Sequence, residues 1–280
     1  MIIRTYNSRS TLQATIDAVR AQTCPVEIVL VDSGSTDGTL DLARSQVDRL
    51  VELDHAEFSY GRALNRGAEV AGAPVHVSLS SHTVLPRPDW VEIARRHLQE
   101  GALATCGAET DGAHRPLQHP LRADREYFAR HRYWGYTNTA GAWRAEAWQV
   151  HRFDESLVAS EDQEWSWRLV ADGGHVLVDP ALAVSGSHRR SAGLQAYHRR
   201  MVAEIRALEH MRPLRPYGVL DGLADWVRTD PRDPFVSHAR RFGRTRLLDV
   251  TARWSAGVQS RRGTVPQPRI LPDEQRVDGA

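Results

Sequence analysis

The chain has no lysine. All 36 of its basic residues are arginine, which excludes a phosphate-loop lysine, a Schiff-base lysine and a lysine general base. Cysteine is scarce. Cys24 and Cys106 are the only two, far apart and in no CxxC or Cys/His spacing, so neither a disulfide framework nor a zinc module is expected. That usage makes a reducing cytoplasm the expected setting. Long apolar runs are missing: nowhere do about eighteen apolar residues follow one another. The first residues carry no basic segment followed by an apolar one, so neither a transmembrane helix nor a signal peptide is expected. Excess charge is lacking as well, since 36 arginines face 35 acids for a formal net charge of +1. No global field argues for nucleic acid or an anionic membrane as partner.

What is present is an ordinary globular composition, 41% hydrophobic and 25% charged over 280 residues, enough for one full core and an accessory segment. Short apolar runs alternate with helical periodicities. Ile2-Ile3 opens a strand, and Leu12, Ile16 and Val19 then repeat at helical spacing. The β-branched run 26–31 reads as a buried strand, and 50–53 and 75–79 read as two more. Helices are expected after Ser35 as N-cap, over 63–71, and where Trp90, Ala94 and Leu98 share a face. This order predicts an α/β fold with a mostly parallel, Rossmann-like sheet flanked by helices.

Prolines, histidines and arginines crowd residues 110–133, which read as a long working loop. Beyond it the pattern predicts a strand over 137–143, a helix over 161–171, short strands around Val176 and Val184, and an amphipathic helix over 194–211. Arginine- and tryptophan-rich helices are expected to about residue 248. From 259 the composition turns to Arg, Gly, Pro and Gln, a tail expected to be disordered. The domain reading is therefore a catalytic unit over 1–190, a helical C-terminal extension over 191–258 that forms a lid, an acceptor face or a homodimer face, and the tail 259–280.

In parallel α/β sheets, ligands gather at the carboxyl ends of strands. Three polar clusters fall there: Arg4-Thr5-Tyr6-Asn7, the loop from Asp32 to Asp37, and Ser80-Ser81-His82-Thr83. Each alone is an ordinary polar loop. Their order along one βαβ series is the specific signal. A second acidic group, Glu161-Asp162, opens the helix at 161–171, with Asp162 on the face of Trp165 and Leu169. An apolar, inward stripe of that kind raises the proton affinity of a carboxylate. Ser160 and Gln163 also have capping-box spacing, the structural alternative for this segment.

With these residues the chain resembles family 2 of the glycosyltransferases, inverting enzymes of the GT-A fold, and looks closest to the rhamnosyltransferase-like branch. The motifs are Ile3-Arg4-Thr5-Tyr6-Asn7, the stretch from Val31 to Thr39, the stretch from Phe58 to Ala68, Glu161-Asp162-Gln163-Glu164-Trp165, and Ser187-His188. The resemblance covers roughly 1–190. It implies that Thr5, Tyr6, Asn7, Asp32, Ser35, Arg62 and Ser81 border the nucleotide. A carboxylate at Asp32 would accept from the N3–H of uracil or thymine, a donor that cytosine lacks. Asp162 is then the base that takes the acceptor's proton. Asn138, Glu161 and Trp165 are placed by the same resemblance on the donor-sugar and acceptor side.

Family members carry an aspartate after the fourth strand that binds a divalent ion across the diphosphate. Here His82 stands in that position. The resemblance leaves His82 and His188 as candidate ligands for Mn²⁺ or Mg²⁺, with imidazole suiting Mn²⁺ better. Arginines or a histidinium are the alternative neutralisers of leaving-group charge. The expected partners are a nucleotide-sugar donor and a hydroxyl-bearing acceptor, either a small molecule (as in antibiotic tailoring) or a surface glycan. Two rival classes remain open here: a catalytically inactive nucleotide- or carbohydrate-binding module, and a sugar nucleotidyltransferase.

Overall fold

The computed structural model describes residues 1–110, 115–131, 135–184, 194–208, 211, 220, 251–256 and 258. Its first half alternates strand and helix: β1 Ile2–Thr5, α1 Arg9–Arg20, β2 Val29–Asp32, α2 Thr39–Ala43, β3 Arg49–Glu52, α3 Tyr60–Val70, β4 Val75–Ser80 and α4 Trp90–Gln99. The second half adds β5 Ala104–Cys106, β6 Leu121–Ala123, α5 Arg125–Arg130, β7 Ala140–Arg144, α6 Ala145–Val150, α7 Glu161–Ala171, β8 Val176–Val178 and α8 Leu194–Leu208. Among the described residues these strands form one eight-stranded sheet in the order β3-β2-β1-β4-β7-β5-β8-β6. The first four run parallel. Strand β7 is antiparallel to both β4 and β5.

Successive strand residues point to opposite faces, so each strand feeds two cores. Ile2, Val29 and Val31 pack with α3 and α7 on one side. Ile3, Leu30, Val77 and Leu79 pack with α1 and α4 on the other. The result is a helix–sheet–helix sandwich whose strand order reverses at β1. Chain leaving β1 goes to β2 on one flank, whereas β4 lies on the other, and a crevice opens where the connections part.

Several expectations are corrected. Within 26–31 the ladder begins only at Val29. Ile28 is instead held by Asp48, whose side chain accepts from its N–H at 2.7 Å. The loop expected over 110–133 contains β6 and α5, the helix capped by Asp124, which accepts from the Tyr127 N–H at 3.1 Å. Strand β5 and helix α6 are too short for any periodicity to announce. No strand forms at Val184; the chain makes a 3-10 turn over Pro180–Leu182, capped by Asp179. The helices expected to 248 and the tail at 259–280 lie outside the described residues, apart from Leu220, the helical residues 251–256 and Val258. That short stretch packs Ala252 and Ala256 on Met201, Val202 and Ile205 of α8.

Asn65 of α3 anchors the segment that leads into α7. Its carbonyl accepts from Trp148 Nε1 at 2.9 Å and from the Phe153 N–H at 3.1 Å. Its amide donates to the Phe153 carbonyl and to Glu155. Every polar group of this buried side chain is used, as a buried amide requires.

His76 of β4 is buried between Trp143 and Trp148. Burial, aided by the chain's amino group, pushes its pKa down from 6.5 to about 4. The unfolded chain therefore takes up this proton first as pH falls. The cost is absent above pH 6.5 and grows to about 3 kcal/mol by pH 4. Urea unfolding of His76→Gln should show a shallower loss of stability between pH 6.5 and 4 than the parent; equal slopes would refute the assignment.

Candidate active site

The loops after β1 and β2 are interlocked by the residues that the motifs single out. Asp32, 1% exposed at the end of β2, accepts through Oδ2 from the N–H groups of Gly34 and Ser35, at 2.9 and 2.8 Å. Its Oδ1 accepts from the Ser35 hydroxyl at 2.5 Å. That hydroxyl in turn accepts from the Asn7 N–H at 2.8 Å, and Asn7 Oδ1 accepts from the Thr36 N–H at 2.8 Å. Asn7 holds a left-handed backbone, φ 47°, which these bonds fix. Ser35 thus works inside the loop and is not a helix cap; Gly38 takes that place before α2. Thr5 is buried beside Asp32 in the parallel register.

Tyr6 is 47% exposed and stacks on His55 with centroids 4.4 Å apart and planes 16° apart. His55, from the 3-10 turn His55–Glu57, sits with Nδ1 3.1 Å from the Ser33 carbonyl. Nothing in the motifs pointed to His55; only its position one turn beyond β3 could have.

Across the crevice, Ser81 is absorbed by the fold. Its hydroxyl lies 2.7 Å from that of Ser8, its N–H donates to the Arg4 carbonyl, and its own carbonyl accepts from Thr15. His82 is half-buried beside it, and His188 lies outside the described residues. Among the described residues no three His, Cys, Asp or Glu side chains gather as metal ligands would. A hard divalent ion prefers clustered oxygen donors; among the described residues Ser81 and His82 are part of no such cluster.

Arg62 is already paired. Its Nε donates to Glu155 at 2.9 Å, and its Nη1 donates to the Glu57 carbonyl at 2.9 Å and lies 3.7 Å from the Glu57 carboxylate. Gly61 permits this arrangement, since a Cβ there would fall 2.6 Å from the Asp154 carbonyl oxygen.

The acidic start of α7 closes the site. Asp162, half-buried, accepts from the Asn138 N–H through Oδ2 at 3.1 Å and from the Gln163 N–H through Oδ1 at 2.9 Å. Burial and then the neighbouring Glu161 push its pKa up to about 7, against these two bonds and Arg4. Glu161 is buried, accepts from Asn138 Nδ2 at 3.3 Å and lies 3.6 Å from Arg4 Nη1. Ser160, just before them, has a left-handed φ of 58° and makes no side-chain cap. The alternative reading of this segment as a capping box does not hold, since Ser160 makes no cap hydrogen bond.

Two residues expected on the donor-sugar and acceptor side are deeply buried. Trp165 is wholly buried among Tyr136, Trp143 and Phe153, and its Nε1 donates to the His151 carbonyl. Asn138 is 1% exposed and every polar group it has is used within the protein, by Ser78, Arg4, Glu161 and Asp162. Arg200 of α8, missed in the sequence, is paired with Glu204 at 2.5 Å. Burial opposes its charge, and Glu204, Tyr60 and Asp162 outweigh that cost.

A sheet of this order, with its polar loops at the carboxyl ends of β1, β2 and β4 and an acidic helix start beside them, defines the GT-A class of α/β fold. Solved structures agree. The mannosyltransferase PcManGT from Pyrobaculum calidifontis, in complex with GDP-Man and Mn²⁺, matches with a TM-score of 0.60 at 16% identity, over 95% of this chain and 75% of that one. S. aureus TarS 1–349 in complex with UDP-GlcNAc matches with a TM-score of 0.56 at 15% identity, over 94% and 91%. A family model described as glycosyl transferase family 2 matches residues 1–152, and the chain belongs to that family.

Among curated relatives, the validoxylamine A glucosyltransferase of Streptomyces hygroscopicus subsp. jinggangensis (strain 5008) is 28% identical over 244 residues, 71% of this chain and 56% of that one. The succinoglycan biosynthesis protein ExoA of Rhizobium meliloti (strain 1021) is 29% identical over 192 residues, 60% and 57%. A PGL/p-HBAD biosynthesis glycosyltransferase of Mycobacterium bovis (strain BCG / Pasteur 1173P2) is 42% identical over 76 residues. The chain spans 30% of the mycobacterial relative's length and a little over half of the other two. No helix among the described residues is long and apolar enough to cross a membrane.

Asp32→Ala removes three hydrogen bonds to a buried carboxylate. It should lower the unfolding free energy by about 1–3 kcal/mol. Unchanged urea midpoints would show that the loop holds its shape without them.

Proposed function

We propose that this protein is an inverting glycosyltransferase that moves a sugar from a UDP- or dTDP-sugar to an acceptor hydroxyl, with Asp162 as the general base. One observation carries the reading. Asp162 stands at the crevice with a pKa raised to about 7 and both oxygens fixed by backbone N–H groups. Each oxygen keeps a lone pair for an incoming hydroxyl. A base of that strength is about half ionised at neutral pH and still basic enough to accept a proton.

In this reading the acceptor hydroxyl gives its proton to Asp162 as its oxygen forms a bond to the anomeric carbon. The bond from that carbon to the diphosphate oxygen breaks, and the nucleoside diphosphate leaves with the electron pair. A single displacement from the face opposite the leaving group inverts the centre. The interlocked loops of Asn7, Asp32 and Ser35 hold the nucleotide, with the open face of Tyr6 as a platform for the base. Asp32 Oδ1, holding only the Ser35 bond, has the capacity for an N3–H. No step is assigned to a divalent ion. The name of the validoxylamine relative favours a small-molecule acceptor, and that of ExoA a polysaccharide; the acceptor class is proposed as the former.

Asp162→Asn should cut turnover by about 10³-fold or more, while nucleotide affinity stays within about twofold. In the parent, turnover should fall as pH drops below about 7, because the protonated carboxyl cannot accept. Full activity in the variant would remove Asp162 from the role. Calorimetric titration with UDP, dTDP, CDP and GDP, first in EDTA and then with Mn²⁺, tests the donor. UDP or dTDP should bind more tightly than CDP, and Asp32→Ala should weaken that binding by about 1–3 kcal/mol. Equal affinities across the pyrimidines would sink the base assignment, and the Mn²⁺ arm reports whether His82 and His188 complete a metal site.

A further inference from the structure

Glu161 and Asp162 are adjacent acids in a poorly hydrated place, where the charge of Glu161 raises the proton affinity of Asp162. Among the described residues, one guanidinium reaches the pair from the sheet. Arg4, next to last in the motif strand β1, has a side chain only 10% exposed, against 7% for Glu161. Its Nη2 donates to the Asn138 carbonyl at 2.7 Å and lies 3.4 Å from the Ser80 hydroxyl. Its Nη1 is 3.6 Å from Glu161, and the ring of Tyr60 lies 5.4 Å away. Asn138 is the shared partner: its amide donates to the same Glu161 oxygen and its N–H to Asp162.

We propose that Arg4 is a positioning residue that sets the proton affinity of Asp162 through Glu161, by holding the negative charge of that carboxylate against its own guanidinium. The proposal rests on the reading of Asp162 as base. Among the described residues, the groups facing Asp162 are Glu161 on its own helix, Arg4 from β1, Tyr136 ahead of β7, Cys106 at the end of β5 and Arg200 from α8. Burial pushes the Cys106 thiol up to about 12 and the Tyr136 phenol well above its usual range, so both stay neutral. Arg200 already shares its charge with Glu204. Arg4 and Glu161 are thus the charged pair that decides.

The test reads Asp162 directly, without donor or acceptor, from the carboxyl carbon signal of ¹³C-aspartate-labelled full-length chain, assigned by its loss in Asp162→Asn. Arg4→Met leaves Glu161 uncompensated and should raise the Asp162 midpoint by about one pH unit or more, whereas Glu161→Gln should lower it by a similar amount. Arg4→Lys keeps the cation and should stay near the parent value. The double variant Arg4→Met/Glu161→Gln removes both charges and should return toward it. If Arg4→Met fails to fold, Arg4→Gln takes its place in the same titration. A midpoint unmoved in Glu161→Gln, or moved alike by Arg4→Met and Arg4→Lys, overturns the coupling. Failure of the base reading looks different: Asp162→Asn would keep its turnover whatever the midpoints do.

Discussion

A buried guanidinium is the constraint around which the crevice is built. Arg4 sits where the central strand β1 stops, and a charge withdrawn from water there costs several kcal/mol unless it is paired. Its partners come from four different parts of the chain: Ser80 from β4, Asn138 from the segment before β7, Glu161 from α7 and the ring of Tyr60 from α3. None is its neighbour in sequence. Satisfying one cation therefore fixes the relative placement of the strand ends and the acidic helix. Such a cluster contributes little net stability compared with apolar packing. Its value lies in geometry, because the same Asn138 that accepts from Arg4 hands its N–H to Asp162.

Two non-glycine residues with positive φ flank that cluster, Asn7 after β1 and Ser160 before α7. A left-handed backbone at such residues costs about 1–3 kcal/mol and persists only where the surroundings over-determine it. At Asn7 the over-determination is visible, since Ser35 and Thr36 hold its main chain and side chain. At Ser160 the turn aims the Glu161-Asp162 pair at the sheet instead of letting the helix begin one residue earlier. Strain, loop interlock and the buried ion pair thus converge on one edge of the sheet, the edge at which its connections part.

The parallel half of the sheet was legible because its strands are β-branched runs separated by amphipathic helices, and Val29–Asp32, Val75–Ser80 and the helix from Glu161 follow that pattern directly. The later strands were not, because three residues such as Ala104–Cys106 carry no period. At the site, motif order singled out Asp162 and the loops after β1 and β2. Burial was invisible to that reading. Trp165 and Asn138 look like sugar contacts in sequence, yet one packs in the aromatic core and the other has its hydrogen-bonding groups used internally. Arg4 was passed over for the opposite reason. A lone arginine at a strand end is usually solvated, and nothing local foretells partners that lie more than seventy residues away.

The absence of lysine acquires meaning against this background. Arg4, Arg62 and Arg200 each hold an acid partner: Glu161, Glu155 and Glu204. A planar guanidinium can keep one carboxylate and still present donors to a second anion, which a compact ammonium does less well. Cations paired in advance are not a field that would bind any polyanion, in keeping with a net charge of only +1.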